Sequence, residues 1–110
     1  MSKYKVIKAI KYLERCLKEK RLNVKKIILF GSQITGKTTR ESDIDILIIS
    51  EDFRGKNIFE RAEFTKEAEV MTIKKFMIPL DIITLTPEEF GSKTSLMAEY
   101  AKKGKVLFVA

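Results

Sequence analysis

Three aspartates, Asp43, Asp45 and Asp81, have a spacing that could support chemistry. Asp43 and Asp45 stand at the head of an apolar run that ends at Ile49. On a β-strand, residues two apart point to the same face, about 6.5–7 Å from each other. Two carboxylates this close raise each other's pKa, and a divalent cation between them removes that conflict. Carboxylates are ligands that Mg²⁺ prefers, so the pair predicts a metal site.

Asp81 precedes Ile82 and Ile83 at the start of another predicted strand, so it could reach the same end of the sheet. Three carboxylates from two adjacent strands suffice to hold two metal ions about 3.5–4 Å apart, an arrangement typical of phosphoryl transfer. Two alternatives remain at this stage. Asp45 could turn outward on an exposed edge, and Asp81 could simply begin its strand.

A second pattern overlaps the first. Residues Gly31 to Thr38 match the phosphate-binding P-loop pattern, and they follow a buried apolar run. A P-loop must lead directly into a helix, whereas only four residues separate Thr38 from Asp43. Four residues form about one helical turn, and a parallel crossover needs a dozen or more. The P-loop interpretation is therefore the weaker one.

The composition limits the possible chemistry. The 110 residues fit one domain, 1–110, of ordinary globular composition. The absence of histidine excludes histidine-based acid–base catalysis and histidine metal sites. The single cysteine, Cys16, and the lack of a long apolar run favour a cytoplasmic protein without a membrane partner. The net charge of +7, from 22 basic and 15 acidic residues, favours contact with a polyanion.

The order of apolar patterns predicts an α/β (α+β) fold, one sheet with helices packed on it. Apolar residues at Tyr4, Ile7, Ile10, Leu13 and Leu17 predict an amphipathic first helix. The predicted helices span about 3–20, 58–76 and 96–103, and a further helix is predicted to start at 86–89. The predicted strands span 27–30, 44–49, 80–85 and 106–109. Asn57 and Thr86 are plausible caps of the second and third helices.

Residues Leu29 to Ser32, Gly36 and Ser42 to Leu47 resemble the signature of the polymerase-β-type nucleotidyltransferase superfamily. The short chain is similar to the minimal nucleotidyltransferase (MNT) members, and the resemblance extends over about residues 27–108. It implies a nucleotidyltransferase fold with a mixed β-sheet. It also implies ATP as donor and two Mg²⁺ ions as cofactor. By the match, Asp43, Asp45 and Asp81 would be the catalytic, metal-holding residues.

The resemblance also implies a set of nucleotide-binding residues. Gly31 and Ser32 would contact the triphosphate, and Ser42 belongs to the same motif. Many members carry arginine immediately before the second glycine, where this chain has Thr35. Lys37 or Arg40 could supply the positive charge that the missing arginine would provide. The implied nucleotide-binding residues are Gly31, Ser32, Lys37, Arg40 and Ser42.

Small members of the superfamily resemble one half of a two-gene pair with a helical HEPN-domain partner. There the nucleotidyltransferase is the antitoxin and transfers AMP from ATP to a tyrosine of the toxin. The resemblance therefore implies a HEPN-domain protein as partner. The helix from Ile58 to Phe76 is a candidate docking surface, although apolar residues in such a helix more often form core.

Two other classes of function stay open from the residues. One is a binding protein that retains the fold and neutralises a partner without catalysis. The clustered carboxylates argue against it, because a purely structural module has no use for them. The other is a nucleic-acid-binding module, suggested by the net charge of +7. The sequence lacks a recognisable nucleic-acid-binding motif, so nucleic acid is not the expected partner.

Overall fold

A computed structural model describes residues 3–30, 44–92 and 105–109. The predicted last helix, 96–103, lies outside these residues. The described elements follow the predicted order, with the addition of a short 3-10 turn at Glu51–Phe53. In chain order they are α1 (Lys3–Glu19), β1 (Val24–Phe30), β2 (Ile44–Ser50), α2 (Ile58–Phe76), β3 (Leu80–Leu85), α3 (Pro87–Gly91) and β4 (Lys105–Val109).

The four strands form one mixed sheet in the order β3-β2-β1-β4. β1 pairs antiparallel with both β2 and β4, and β2 pairs parallel with β3. The antiparallel pairing of β1 with β2 bears on the P-loop pattern that follows β1. A P-loop belongs to a strand–helix unit whose crossover returns parallel to the first strand. The observed direction of β2 contradicts that interpretation.

The two faces of the sheet bury different residues because side chains alternate along each strand. Ile27, Leu29, Ile46 and Ile48 face the layer formed by α1 and α2, in the larger core. Ile28, Leu47, Ile49 and Leu85 form a smaller cluster on the second face, with Ile83 and Phe90 packed against it. No helix among the described residues is long and apolar enough to cross a membrane.

Helix α1 buries a stripe that differs from the predicted one at its N-terminal end. Ile10, Leu13 and Leu17 are fully buried, as the spacing predicted, and Cys16 is also buried. Tyr4 is 69% exposed, and Val6 takes the inward position instead. Val6 precedes Ile10 by four residues and Leu13 by seven, about one and two helical turns, so it lies on the same face of α1.

Helix α2 begins and ends with recognisable local signals. Asn57 accepts a hydrogen bond from the backbone N–H of Glu60, and the Glu60 side chain accepts one from the backbone N–H of Asn57. This reciprocal capping box confirms Asn57 as the cap. At the other end Met77 adopts the left-handed conformation, with φ of 54°. The helix therefore ends before Pro79.

The fully buried residues of α2 are small, and the larger Phe64, Ile73 and Phe76 pack partly buried against the core beside them. Thr65, Ala68 and Thr72 are buried, and their steps of three and four define the inward stripe. Phe59 is 80% exposed, because it lies nine residues, or about 2.5 turns, from Ala68. The alternative that α2's apolar residues form core is therefore wrong for Phe59. It holds for Phe76, which packs partly buried against the core.

Arg61 ties the start of α2 to the end of β3. Its Nε donates to the backbone carbonyl of Lys56 at 2.9 Å, and its Nη1 donates to that of Thr84 at 3.2 Å. Nη1 also donates to Glu89 Oε1 at 2.8 Å, and only 13% of the Arg61 side chain is exposed. The same Glu89 oxygen accepts from the N–H of Thr86, the cap of α3. One guanidinium therefore fixes three segments of the chain.

We expect Arg61→Ala to lower the free energy of unfolding by about 2 kcal/mol, because hydrogen bonds to a charged group are lost and acceptors are left unsatisfied. Urea denaturation followed by circular dichroism measures this change. Arg54→Ala is the matched control. Arg54 pairs with Glu51 and Glu88 but is exposed, so its loss should change stability little. Equal losses for the two variants would contradict the role assigned to Arg61.

Candidate functional site

Asp45 and Asp81 are direct neighbours across the parallel strands β2 and β3. Their Cα atoms are register partners, and the same register pairs Leu47 with Ile83. Neighbouring strands lie about 4.8 Å apart, and residues in register point to the same face. Asp45 is half-buried and Asp81 is exposed. The sheet therefore brings two of the three predicted carboxylates together at its edge, where solvent and a ligand can reach them.

The position of Asp45 is held from two sides. It lies near the start of β2, an inner strand, where Phe30 of β1 is its register partner on one side and Asp81 on the other. The next residues of its strand, Ile46 and Leu47, are both fully buried, one on each face. Because a one-residue slip would exchange those faces, the packing fixes which way Asp45 points.

The pairing of β1 with β2 also brings the end of β1 to this place. Phe30, the last residue of β1, lies opposite Asp45 and directly precedes the Gly31-Ser32 pair in the sequence. The remaining predicted residues fall outside the described part of the chain. These are Asp43 of the metal-holding set and the nucleotide-binding set of Gly31, Ser32, Lys37, Arg40 and Ser42.

Glu69 is an additional carboxylate that the sequence patterns did not indicate. It lies on α2 and is half-buried. Burial raises its pKa, and the negative charge of Asp81 raises it further. No spacing rule connects a helical glutamate with a strand aspartate twelve residues later, so only the packing of α2 against β3 reveals their interaction.

The described donors fit a hard divalent cation. Mg²⁺ is usually bound through one or two carboxylates, with waters and substrate phosphates completing its coordination. Asp45 and Asp81 supply two such carboxylates on one face. Within residues 3–30, 44–92 and 105–109 no group of three histidine, cysteine, aspartate or glutamate residues could hold a metal ion. The third predicted ligand, Asp43, belongs to the part not described.

A mixed sheet with paired aspartates at its edge is the architecture expected of a nucleotidyltransferase. Residues 10–106 match the nucleotidyltransferase domain family, and the chain belongs to that family. The fold prediction is therefore confirmed. The chain is also 35% identical over 105 residues to a protein of Methanocaldococcus jannaschii described as a "putative protein adenylyltransferase". The match covers 92% of this chain and 96% of that relative.

Two solved structures share the fold. One is described as a "putative nucleotidyltransferase" from Sulfolobus solfataricus, with a TM-score of 0.55 and 20% identity, over 99% of this chain and 90% of that one. The other is a chain from a crystal structure of a toxin-antitoxin with AMP-PNP. It gives a TM-score of 0.63 and 22% identity over 100% of this chain and 75% of that chain. At these identities the likeness supports the fold alone.

The raised pKa of Glu69 predicts a pH-dependent change in stability. The ionised carboxylate is disfavoured in the folded state, so its cost is present above the ordinary pKa of glutamate and vanishes as the pH falls below it. We expect Glu69→Gln to raise the melting temperature slightly at neutral pH and to have no such effect at about pH 3–4.

Thermal unfolding across this pH range, in the absence of divalent cations, measures the effect. Glu67→Gln is the control, because Glu67 lies two residues away on α2 and forms an ion pair with Lys20. Its neutralisation removes an attraction and should bring no gain in stability. A gain for Glu67→Gln equal to that for Glu69→Gln would show a general effect of net charge instead.

Proposed function

We propose that this nucleotidyltransferase transfers AMP from ATP to a hydroxyl group of a partner protein. The observation that carries the proposal is the register pairing of Asp45 with Asp81 at the sheet edge. A purely structural sheet gains nothing from two aspartates side by side, because like charges directly opposite each other destabilise the pairing. The proposal treats residues 1–110 as one nucleotidyltransferase domain.

In the proposed reaction the acceptor oxygen attacks the α-phosphorus of ATP. The bond between the α-phosphorus and the oxygen that bridges to the β-phosphorus breaks, so AMP is retained and pyrophosphate leaves. Asp43, Asp45 and Asp81 would hold two Mg²⁺ ions, which supply charge stabilisation at the reacting phosphate. Asp81 would also accept the proton of the attacking hydroxyl. Gly31, Ser32 and Ser42, with Lys37 or Arg40, would contact the triphosphate.

The proposed acceptor is a tyrosine of a HEPN-domain toxin, with this protein as its antitoxin. Two comparisons support this assignment. The Methanocaldococcus relative is described as a "putative protein adenylyltransferase", which supports a protein hydroxyl as the acceptor. The structural neighbour comes from a toxin-antitoxin with an ATP analogue.

Asp45→Asn tests the catalytic carboxylate directly. We expect AMP transfer to fall by at least about 10²-fold, since a ligand of the reacting phosphate's metal ions is lost. Without Mg²⁺ the variant should be folded and slightly more stable than the wild type, because the repulsion from Asp81 is relieved. Asp52→Asn, at the opposite end of β2, is the control and should retain full transfer. Full activity of Asp45→Asn would refute the assigned role.

ATP labelled separately at the α- and γ-phosphates tests the reaction itself. The protein is incubated with Mg²⁺, labelled ATP and the protein encoded by the neighbouring gene. We expect α-label on the partner protein and γ-label in pyrophosphate. Asp43→Ala should abolish the transfer and Lys37→Ala should impair it far less, because a carboxylate site acts at the α-phosphate.

The competing outcomes have distinct signatures. A P-loop enzyme would release γ-label as free phosphate and would depend on Lys37. A binding protein without catalysis would neutralise the partner in the absence of ATP and would leave both labels in ATP. Either result would refute the proposed transfer.

A further inference from the structure

A groove of about 400 Å³ runs along the outer edge of β3, and we call it the edge groove. Its lining includes Ile58 and Arg61 of α2, Ile82, Ile83 and Thr84 of β3, and Glu89 of α3. Ile82 packs against the larger core on one face of the sheet, and Ile83 packs against the smaller cluster on the other face. The groove therefore lies across the edge of the sheet, with α2 and α3 as its two walls.

The edge groove leads to the aspartate pair. Asp81 directly precedes Ile82 in β3 and is exposed. α2 runs beside β3 in the opposite direction, since Arg61 bonds to Thr84 and the charge of Asp81 acts on Glu69. Eight helical residues rise about 12 Å and three strand residues about 10 Å, so the two stretches match in length. One end of the groove therefore lies beside Asp81.

The backbone of Ile82 faces the edge groove with one donor and one acceptor. The Thr84 carbonyl points away from β2, because Arg61 Nη1 donates to it at 3.2 Å. Backbone groups two residues apart on a strand point to the same side, so the N–H and C=O of Ile82 also point outward. Within residues 3–30, 44–92 and 105–109 no other group hydrogen-bonds to this side of Ile82. Such groups at a sheet edge are a template for a further strand.

The two ends of the edge groove carry opposite charges. At one end Arg61 reaches from α2 to Glu89 of α3, at 2.8 Å, and closes the groove. Lys56 also lines the groove at this end, where its carbonyl accepts from Arg61 Nε, and no ion pair among the described residues includes it. The other end meets the negative aspartate pair. The charges therefore favour a short segment whose acidic group lies toward Lys56.

We propose that the edge groove binds an extended segment of the acceptor protein as an additional strand beside β3. This inference rests on the proposed function, because it states how the acceptor of that reaction is held. An added strand lies about 4.8 Å from β3. Its side chains opposite Asp81, or diagonal to it, point to the same face as Asp81 and are within reach of its carboxylate. Strand addition therefore brings the acceptor hydroxyl to the group that accepts its proton.

The charges disfavour a second copy of this chain as the occupant. Two β3 strands paired edge to edge would bring two aspartate pairs together, and like charges across a strand pair destabilise it. A segment with a neutral hydroxyl and apolar neighbours avoids that repulsion. Ile58 is 72% exposed and offers apolar surface to those neighbours. The groove therefore fits a short β-branched segment with a hydroxyl group at one end and a carboxylate at the other.

Two hexapeptides with blocked ends serve as probes, acetyl-Gly-Tyr-Val-Thr-Val-Glu-amide and the peptide of reversed order, because an added strand runs either parallel or antiparallel to β3. NMR follows amide hydrogen exchange in the full chain. We expect one peptide at saturation to slow exchange of the Ile82 amide at least about tenfold, because its N–H gains an acceptor. The Ile83 amide, which faces β2, should exchange slowly with and without peptide. Unchanged exchange of Ile82 with both peptides would overturn the proposal.

Methylation of the peptide backbone tests strand pairing itself. Each of the three central residues of the bound peptide is methylated in turn on its backbone nitrogen, and NMR titration gives the dissociation constant. Because donors alternate between the two sides of a strand, methylation should weaken binding about fivefold at the position that pairs with the Ile82 carbonyl. It should have little effect at the positions next to it. Equal effects at all three positions would indicate binding without strand pairing and would overturn the proposal.

Ile58→Asp and Phe59→Asp are a matched pair of variants. Both residues are large, apolar and exposed, at 72% and 80%, in the first turn of α2, but Phe59 does not line the edge groove. Aspartate is favourable at a helix N-terminus, so both variants should fold. Ile58→Asp should weaken peptide binding at least about tenfold, through lost apolar contact and repulsion of the peptide glutamate. Phe59→Asp should change it little, and equal losses would overturn the proposal.

Other occupants of the edge groove give different results in the same experiments. If ATP with Mg²⁺ alone slows exchange of the Ile82 amide, and Ile58→Asp weakens ATP binding, the groove holds the nucleotide and the proposal is overturned. Protection of Ile82 that increases with protein concentration, together with a dimer in sedimentation, would identify a second copy of the chain. That result also overturns the proposal.

Transfer of α-label from ATP to the peptide tyrosine separates this inference from the proposed function. A KM for peptide that is raised in Ile58→Asp, with kcat and the KM for ATP unchanged, supports the groove as the acceptor site. Peptide binding without transfer to the peptide or to the neighbour-encoded protein retains the groove as a strand-binding site and refutes the proposed transfer. Transfer without protection of the Ile82 amide retains the proposed function and overturns the inference.

Discussion

The parallel pairing of β2 with β3 is the constraint on which the described site depends. It holds Asp45 and Asp81 in register, so two like charges remain adjacent whatever their mutual repulsion. The backbone hydrogen bonds of the ladder and the burial of Ile46, Leu47 and Ile48 keep the register in place. Two carboxylates in this arrangement present oxygen atoms of the kind that a hard divalent cation prefers as ligands.

The strands and the helix caps were predictable from the sequence because their signals are local. The Ile44–Ile49 run has the length and β-branched composition of a buried strand, and Asn57 and Thr86 have the side chains that cap a helix. The predicted strands were found, with β1 starting earlier, at Val24. The adjacency of Asp45 and Asp81 required more than local signals, because it depends on which strands pair and in which register. The place of Asp81 at the start of its strand predicted only that it could reach the same end of the sheet, and the structure supplies the register.

Other features could not have been read from the sequence. The inward face of α2 is defined by Thr65, Ala68 and Thr72, whereas a reader looking for large apolar residues selects Phe59, which is exposed. Small side chains lie inward because they let the helix approach its neighbours closely. The interaction of Glu69 with Asp81 arises from the packing of α2 against β3. The convergence of Lys75 with three cations of α1 arises from the packing of α1 on α2. Both depend on tertiary packing, and no periodic pattern in the sequence indicates them.

The hydrogen bond from Arg61 to the carbonyl of Thr84 has a consequence for the behaviour of the protein in concentrated solution. Among the described strands β3 is at the margin of the sheet, with β2 as its partner on one side. The outer row of backbone groups on such a strand is a template on which a strand of another molecule can assemble. A guanidinium bound to Thr84 occupies one acceptor of that row and places a cation beside it. The Thr84 carbonyl, held in this way, is one acceptor that a strand of another molecule would have to release from Arg61 before it could pair there.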